Sequence, residues 1–156
     1  MCTDFGIESG YGTMPYWDVS QVTQMNSTFE MRSSFNGFLH RWDVSNVKNM
    51  TRMFQYAYSF NMDLSTWDVS SVVDMSYMFY SANSFNGDIS TWDVVSVIDM
   101  KYMFAYAYQF SSDVSSWTGS AATSAQTNMF SGSTAFQAAF TCTDANDGPP
   151  SSCVHV

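Results

Sequence analysis

Residues 60–79 read Phe-Asn-Met-Asp-Leu-Ser-Thr-Trp-Asp-Val-Ser-Ser-Val-Val-Asp-Met-Ser-Tyr-Met-Phe, and residues 85–104 read Phe-Asn-Gly-Asp-Ile-Ser-Thr-Trp-Asp-Val-Val-Ser-Val-Ile-Asp-Met-Lys-Tyr-Met-Phe. The two strings superpose at a shift of 25 residues. Tryptophan stands at 17, 42, 67, 92 and 117, always 25 apart, and Asp-Val follows it in the first four copies. A fixed period of this length marks a solenoid: each repeat is one small unit that cannot bury its own apolar face and is covered by its neighbours.

Aligned on Trp, the copies give further columns: Val22, Val47, Val72, Val97; Met25, Met50, Met75, Met100; and the aromatic pair of columns Phe29, Phe54, Phe79, Phe104 and Phe35, Phe60, Phe85, Phe110. An apolar residue also precedes each Trp by three places, as Leu39, Leu64 and Ile89 do. Trp, Asp and Val at successive positions have strand spacing, so Trp67 and Val69 are expected to point inward and Asp68 outward. Val72, Met75, Met78 and Phe79 recur at the spacing of one face of a short helix, with Ser20, Ser45 and Ser70 placed to cap its start. The expected coil is one short strand plus one short helix, returning through an Asn/Gly/Asp turn, an α/β repeat. Stacked coils bring Trp42, Trp67 and Trp92, and likewise Phe54, Phe79, Phe104 and Phe60, Phe85, Phe110, into continuous core columns. Each buried aromatic contributes about 4–6 kcal/mol before chain entropy is subtracted. The methionines fill repeat columns and read as core too.

The boundaries follow from the columns. Residues 1–13 are an N-terminal cap, 14–116 hold four repeats, 117–140 form a degenerate capping repeat, and 141–156 form a terminal loop. In the fifth copy Thr118 and Gly119 follow Trp117, and the Met-Phe pair comes one residue late at Met129-Phe130. Cys142 and Cys153 bracket a polar, Pro- and Gly-containing segment. A disulfide joining them would stabilise by about 2–3 kcal/mol and hold the loop over the open end of the fifth coil, where Met129, Phe130 and Phe136 close the core. Cys2 is left over, either free, paired outside the segment or paired to one of the other two.

The chain has 156 residues, a formal charge of −9 and only five Lys or Arg. A nucleic-acid partner is excluded by the missing phosphate-neutralising cations. No run of 18 apolar residues exists, so membrane insertion is not encoded, and the start Met1-Cys2-Thr3-Asp4 carries no leader-like apolar region.

The string from Phe60 to Phe79, repeated from Phe85 to Phe104, resembles the 25-residue repeat of BspA-type leucine-rich-repeat surface proteins, and residues 14 to about 136 carry the likeness. The resemblance implies a leucine-rich-repeat-like solenoid in a secreted or surface-anchored protein used for adhesion and recognition, not catalysis. Its partners would be surface proteins or glycans, or, for a structural protomer of a filament or surface layer, copies of itself. The chain departs from ordinary leucine-rich repeats in having Val72 and Val97 where their Asn ladder stands, so a horseshoe and a flatter solenoid both remain open.

Several candidate sites can be read from the residues. Asp18, Asp43, Asp68 and Asp93 form an outward row in which carboxylates ~4.8 Å apart repel by about 1 kcal/mol in water. The row either holds divalent cations such as Ca²⁺, or glycans with help from Thr66, Ser70 and Thr91, or simply caps local backbone amides. No other cofactor is called for. Asp63, Asp88 and Asp113 read as turn residues, and Asp144-Ala145-Asn146-Asp147-Gly148 matches a calcium loop only weakly. Tyr56, Tyr58, Tyr77, Tyr80, Tyr102, Tyr106 and Tyr108 offer either a stacking strip for sugar or protein, or plain shielding. Asn26-Ser27-Thr28 and Asn49-Met50-Thr51 are glycosylation sequons at Asn26 and Asn49. Two histidines, His40 and His155, with no metal-spaced cluster, no phosphate loop and no nucleophile elbow, speak against an enzyme. Mineral or ice binding by the acidic face is the remaining minor alternative.

Overall fold

The computed structural model describes residues 14–156; the expected cap at 1–13, with Cys2, Phe5, Ile7 and Tyr11, lies outside the described residues. From Trp17 onward the chain winds in coils whose equivalent residues stack on one another. Isolated parallel bridges join Gln24 to Asn49, Asn49 to Asp74, and Asp74 to Asp99. The backbone N–H groups of Met50, Arg52, Phe54 and Tyr56 donate to the carbonyls of Asp74, Ser76, Met78 and Tyr80 in the next coil at 2.9–3.0 Å. Met75, Tyr77, Phe79 and Ser81 repeat the pattern one coil later.

The intervening N–H groups turn back within the coil: Met53 donates to the carbonyl of Met50, Gln55 to Arg52 and Ala57 to Phe54. The segment expected to be helical is therefore a run of linked turns, and no strand is formed at Trp-Asp-Val. The physical reason is room and hydrogen-bond demand. An α-helix keeps all its N–H groups along its own axis and is 10–12 Å across, whereas hydrogen-bonded neighbours sit ~4.8 Å apart and need every second N–H for the adjacent coil. The facing read from the spacing is nevertheless seen in burial: Trp67 and Val69 are buried and Asp68 is exposed. The serines expected as helix caps instead serve the aspartates two residues earlier.

The core is a set of aromatic columns. Phe54 stacks on Phe60 within its coil at 4.0 Å, and on Phe29 and Phe79 of the coils on either side at 5.4 and 5.5 Å, with planes within 10° throughout. Trp42, Trp67, Trp92 and Trp117 are 2–6 % exposed, and Trp92 stacks on Trp117 at 6.4 Å. Each indole N–H reaches the preceding coil: Trp67 donates to the Leu39 carbonyl at 3.1 Å and Trp92 to that of Leu64 at 3.0 Å. A second ladder was not read from the sequence. The side-chain oxygens of Asn36, Asn61 and Asn86 accept the backbone N–H groups of Asn61, Asn86 and Ser111 at 2.8–2.9 Å, so this chain has an asparagine ladder of its own in the turn before the Trp segment.

The fifth coil absorbs its extra residue by a side-chain substitution. Met100 N–H donates to Gln126 Oε1 instead of a backbone carbonyl, after which Tyr102 and Phe104 bond to Thr127 and Met129 in the shifted register. Helix α1 (Thr134–Ala139) leads into strand β1 (Phe140–Thr141), which pairs antiparallel with β2 (Val154–His155). The Cys142–Cys153 disulfide closes the segment between them. That segment lies over the end of the stack: Gln126 N–H donates to the Asp147 carbonyl, Phe130 N–H to that of Asn146, and Ser151 N–H to that of Ala122.

Candidate functional site

The linked turns set the conditions for one surface. Alternate turns carry a positive φ at their third residue, and this recurs at Arg52, Tyr77 and Tyr102 and again at Tyr56, Ser81 and Tyr106, with φ of 54–60°. Side chains at these positions are thrown out beside their equivalents in the next coil. The tyrosines consequently touch across coils. Tyr77 stacks on Tyr102 at 4.8 Å, and Tyr80 stands edge-on to Tyr56 at 5.4 Å and to Tyr106 at 5.6 Å. Arg52 covers the Tyr77 ring at 5.5 Å, and the Asn128 amide donates to the Tyr102 hydroxyl at 3.1 Å. Partial burial, reinforced by its tyrosine neighbours Tyr56 and Tyr106, holds the Tyr80 phenol above the usual range, so it stays protonated. Tyr58, Tyr106 and Tyr108 are 40–44 % exposed, and Met31, Ser33, Tyr56 and Tyr58 line a shallow cleft of about 350 Å³ at one end of the strip.

The acidic row is organised differently. Asp18, Asp43 and Asp68 each accept both the amide and the hydroxyl hydrogen of the serine two residues on, at 2.6–3.1 Å, and Asp93 accepts the Val95 amide at 3.1 Å. The serine hydroxyl, then the serine amide, holds the carboxyls of Asp18, Asp43 and Asp68 below the usual range. Neighbouring Asp68 and Asp18 act weakly in the opposite sense on Asp43. Of the suggested oxygen ligands, Ser70 is the partner of Asp68, while Thr66 and Thr91 donate to the carbonyls of His40 and Ser65 in the preceding coil. Among the described residues, no three His, Cys, Asp or Glu side chains form a group that could hold a metal ion.

Other aspartates are turn residues as well. Asp63, Asp88 and Asp113 accept the amides of Ser65, Ser90 and Ser115. The row Asn49, Asp74, Asp99, unnoticed in the sequence, does the same for Thr51, Ser76 and Lys101. Asp144 takes the amides of Asn146 and Asp147, the geometry of a tight turn. Of the sequon asparagines, Asn26 is exposed, whereas Asn49 is half-buried with its side-chain oxygen on the Thr51 amide. His40 and His155 are exposed, His40 edge-on to Phe38 and His155 edge-on to Phe140 at the C-terminal end.

The molecule is thus a hydrogen-bonded stack of 25-residue coils with periodic rows on its surface. Residues 6–117 and 65–146 match the family model described as Mycoplasma protein of unknown function, DUF285, and the chain belongs to that repeat family. No curated protein and no solved structure matches it.

Proposed function

We propose that this chain is a recognition module of a secreted or cell-surface protein, a leucine-rich-repeat-like solenoid of the BspA type that binds protein or glycan ligands and performs no catalysis. The observation carrying this reading is the contiguous tyrosine strip across the second to fourth coils, with rings 4.8–5.6 Å apart on a backbone tied coil to coil. Aromatic surface on a rigid scaffold binds with little loss of side-chain entropy, which is why Tyr is favoured in binding faces. The disulfide supports an oxidising compartment. The acidic row is the weaker ligand face, because the near oxygen of each carboxylate is already engaged, and calcium is not needed to explain it.

Self-assembly through the C-terminal end has less support, since Ala121 and Ala122 there are buried beneath the terminal segment. The test is capture on panels of immobilised extracellular proteins and glycans. Tyr56→Ser with Tyr106→Ser should abolish capture, and Asp43→Asn with Asp68→Asn and Asp93→Asn should leave it intact. The opposite pattern would place the ligand on the acidic face and overturn the assignment; no capture by the folded protein would overturn the recognition reading.

A further inference from the structure

From the second coil onward the outer tyrosines alternate with a spacing of two coils. At the left-handed column the residues are Met31, Tyr56, Ser81, Tyr106 and Gly132, and two places later they are Ser33, Tyr58, Asn83, Tyr108 and Thr134. Large aromatic pairs therefore alternate with small or polar pairs: Tyr56 with Tyr58 in the second coil, Ser81 with Asn83 in the third, Tyr106 with Tyr108 in the fourth. At the end of the column a Cβ added at Gly132 would meet the Tyr106 ring at 2.7 Å, so that ring lies against the backbone of the following coil. Tyr80 and the Tyr77–Tyr102 stack pack beside the column as a base for the outer rings.

Two coils at ~4.8 Å each place successive aromatic pairs roughly 10 Å apart along the stack. An extended chain of β-1,4-linked pyranoses has a matching repeat. Each sugar advances by nearly one coil, alternate sugars are turned over, and the same apolar C–H face returns every second residue. We propose that this face binds an extended, uncharged β-1,4-linked polysaccharide laid along the stacking axis, with every second sugar on an aromatic pair. The intervening sugar would lie over Ser81 and Asn83, whose hydroxyl and amide suit its hydroxyl groups. The Asn83 amide end lies 3.0 and 3.2 Å from the carbonyls of Ser81 and Tyr106, two acceptors that assign its nitrogen to that side and leave its oxygen to accept from the sugar. The charge of −9 selects against anionic polymers, and Arg52 and Lys101 are engaged by Tyr77 and Asp99.

The proposal rests on the recognition reading and sharpens its ligand. It is tested by calorimetric titration of the folded protein with cellohexaose and chitohexaose, with the disaccharides and α-linked maltohexaose alongside. A β-linked hexaose should bind at least about tenfold tighter than its disaccharide, because only the longer chain spans both aromatic pairs, and maltohexaose should not bind. Tyr58→Ala and Tyr108→Ala, both at exposed positions, should each weaken hexaose binding about tenfold while the circular dichroism and melting temperature stay unchanged. Silence toward both β-linked hexaoses, equal binding of maltohexaose, or binding unmoved by the variants would overturn it. Tyr-dependent capture of an extracellular protein together with that silence would leave the recognition reading standing and remove the polysaccharide alone.

Discussion

A left-handed backbone at Ser27, Met31, Arg52, Tyr56, Tyr77, Ser81, Tyr102, Tyr106 and Asn128 is the costliest local feature of the described residues. Each such residue other than glycine costs about 1–2 kcal/mol, and the cost is borne because the turns free alternate N–H groups for the neighbouring coil. Ser81→Gly removes that strain while keeping the N–H that donates to Ala105. After the roughly 0.5–1 kcal/mol of added chain entropy, a net gain of about 0.5–1 kcal/mol remains. The melting temperature should rise by about 1–4 °C, and Ser81→Ala, which keeps the strain, should give no rise. The aspartates supply a pH dependence of definite sign. Hydrogen bonds from serine hydroxyls and amides hold Asp18, Asp43, Asp68, Asp88 and Asp113 below the usual range in the folded state. Their contribution is therefore complete above the unfolded value of about 3.9 and is lost as pH falls through the folded values. Thermal melts should show stability declining from about pH 4 toward pH 2, and Ser45→Ala with Ser70→Ala should flatten the decline. A melting temperature that climbs over that interval would mean that relief of repulsion between the rows outweighs the lost hydrogen bonds.

At the scale of the coil, tryptophan joins packing to hydrogen bonding. Trp67 is 3 % exposed, packs against Phe54 at 6.3 Å and ties its coil to the Leu39 carbonyl. Trp67→Ala should cost about 3–5 kcal/mol. Trp67→Phe, which keeps an aromatic ring but leaves that carbonyl without its donor, should cost about 1–3 kcal/mol, both measured by chemical denaturation. A Trp67→Phe loss near zero would show that the hydrogen bond contributes nothing beyond the ring, and equal losses would show the reverse. The inward positions were legible because burial acts residue by residue along a strict period: Trp67, Val69, Val72, Met75, Met78 and Phe79 are all buried. The local backbone was not legible. Val72, Met75, Met78 and Phe79 keep helical intervals, yet a run of turns satisfies the same intervals. What selects between the two is the N–H demand of the next coil, a property of the stack and not of the segment. The Asn36, Asn61, Asn86 ladder was obscured for a related reason, since asparagine in such a turn is already explained by its local propensity. The tyrosines were visible individually; their alternation between coils emerges only when the Tyr56 and Tyr58 columns are followed across two repeats.

Over the whole molecule, a stack of hydrogen-bonded coils must end somewhere, and an uncovered end exposes both N–H groups and aromatic rings. At the C-terminal end the chain solves this with a short segment that has little structure of its own. Asp147 and Asn146 take the N–H groups of Gln126, Asn128 and Phe130, and Gly148 sits against the Phe130 ring, where a Cβ would lie 3.3 Å away. Such a segment cannot be held by propensity, so the Cys142–Cys153 bond, with the short pairing of β1 and β2, keeps it in place. Replacing both cysteines with serine should lower stability by about 2–3 kcal/mol. Because each coil contacts only its neighbours, the loss should be local before it is global. Hydrogen exchange should accelerate first at the amides of Gln126, Asn128 and Phe130, and leave those of Phe54 and Phe79 slow until the stack as a whole unfolds. Uniform acceleration along every coil would show that the stack unfolds as one cooperative body and that the bridge stabilises it by constraining the unfolded chain, with no special protection of the end.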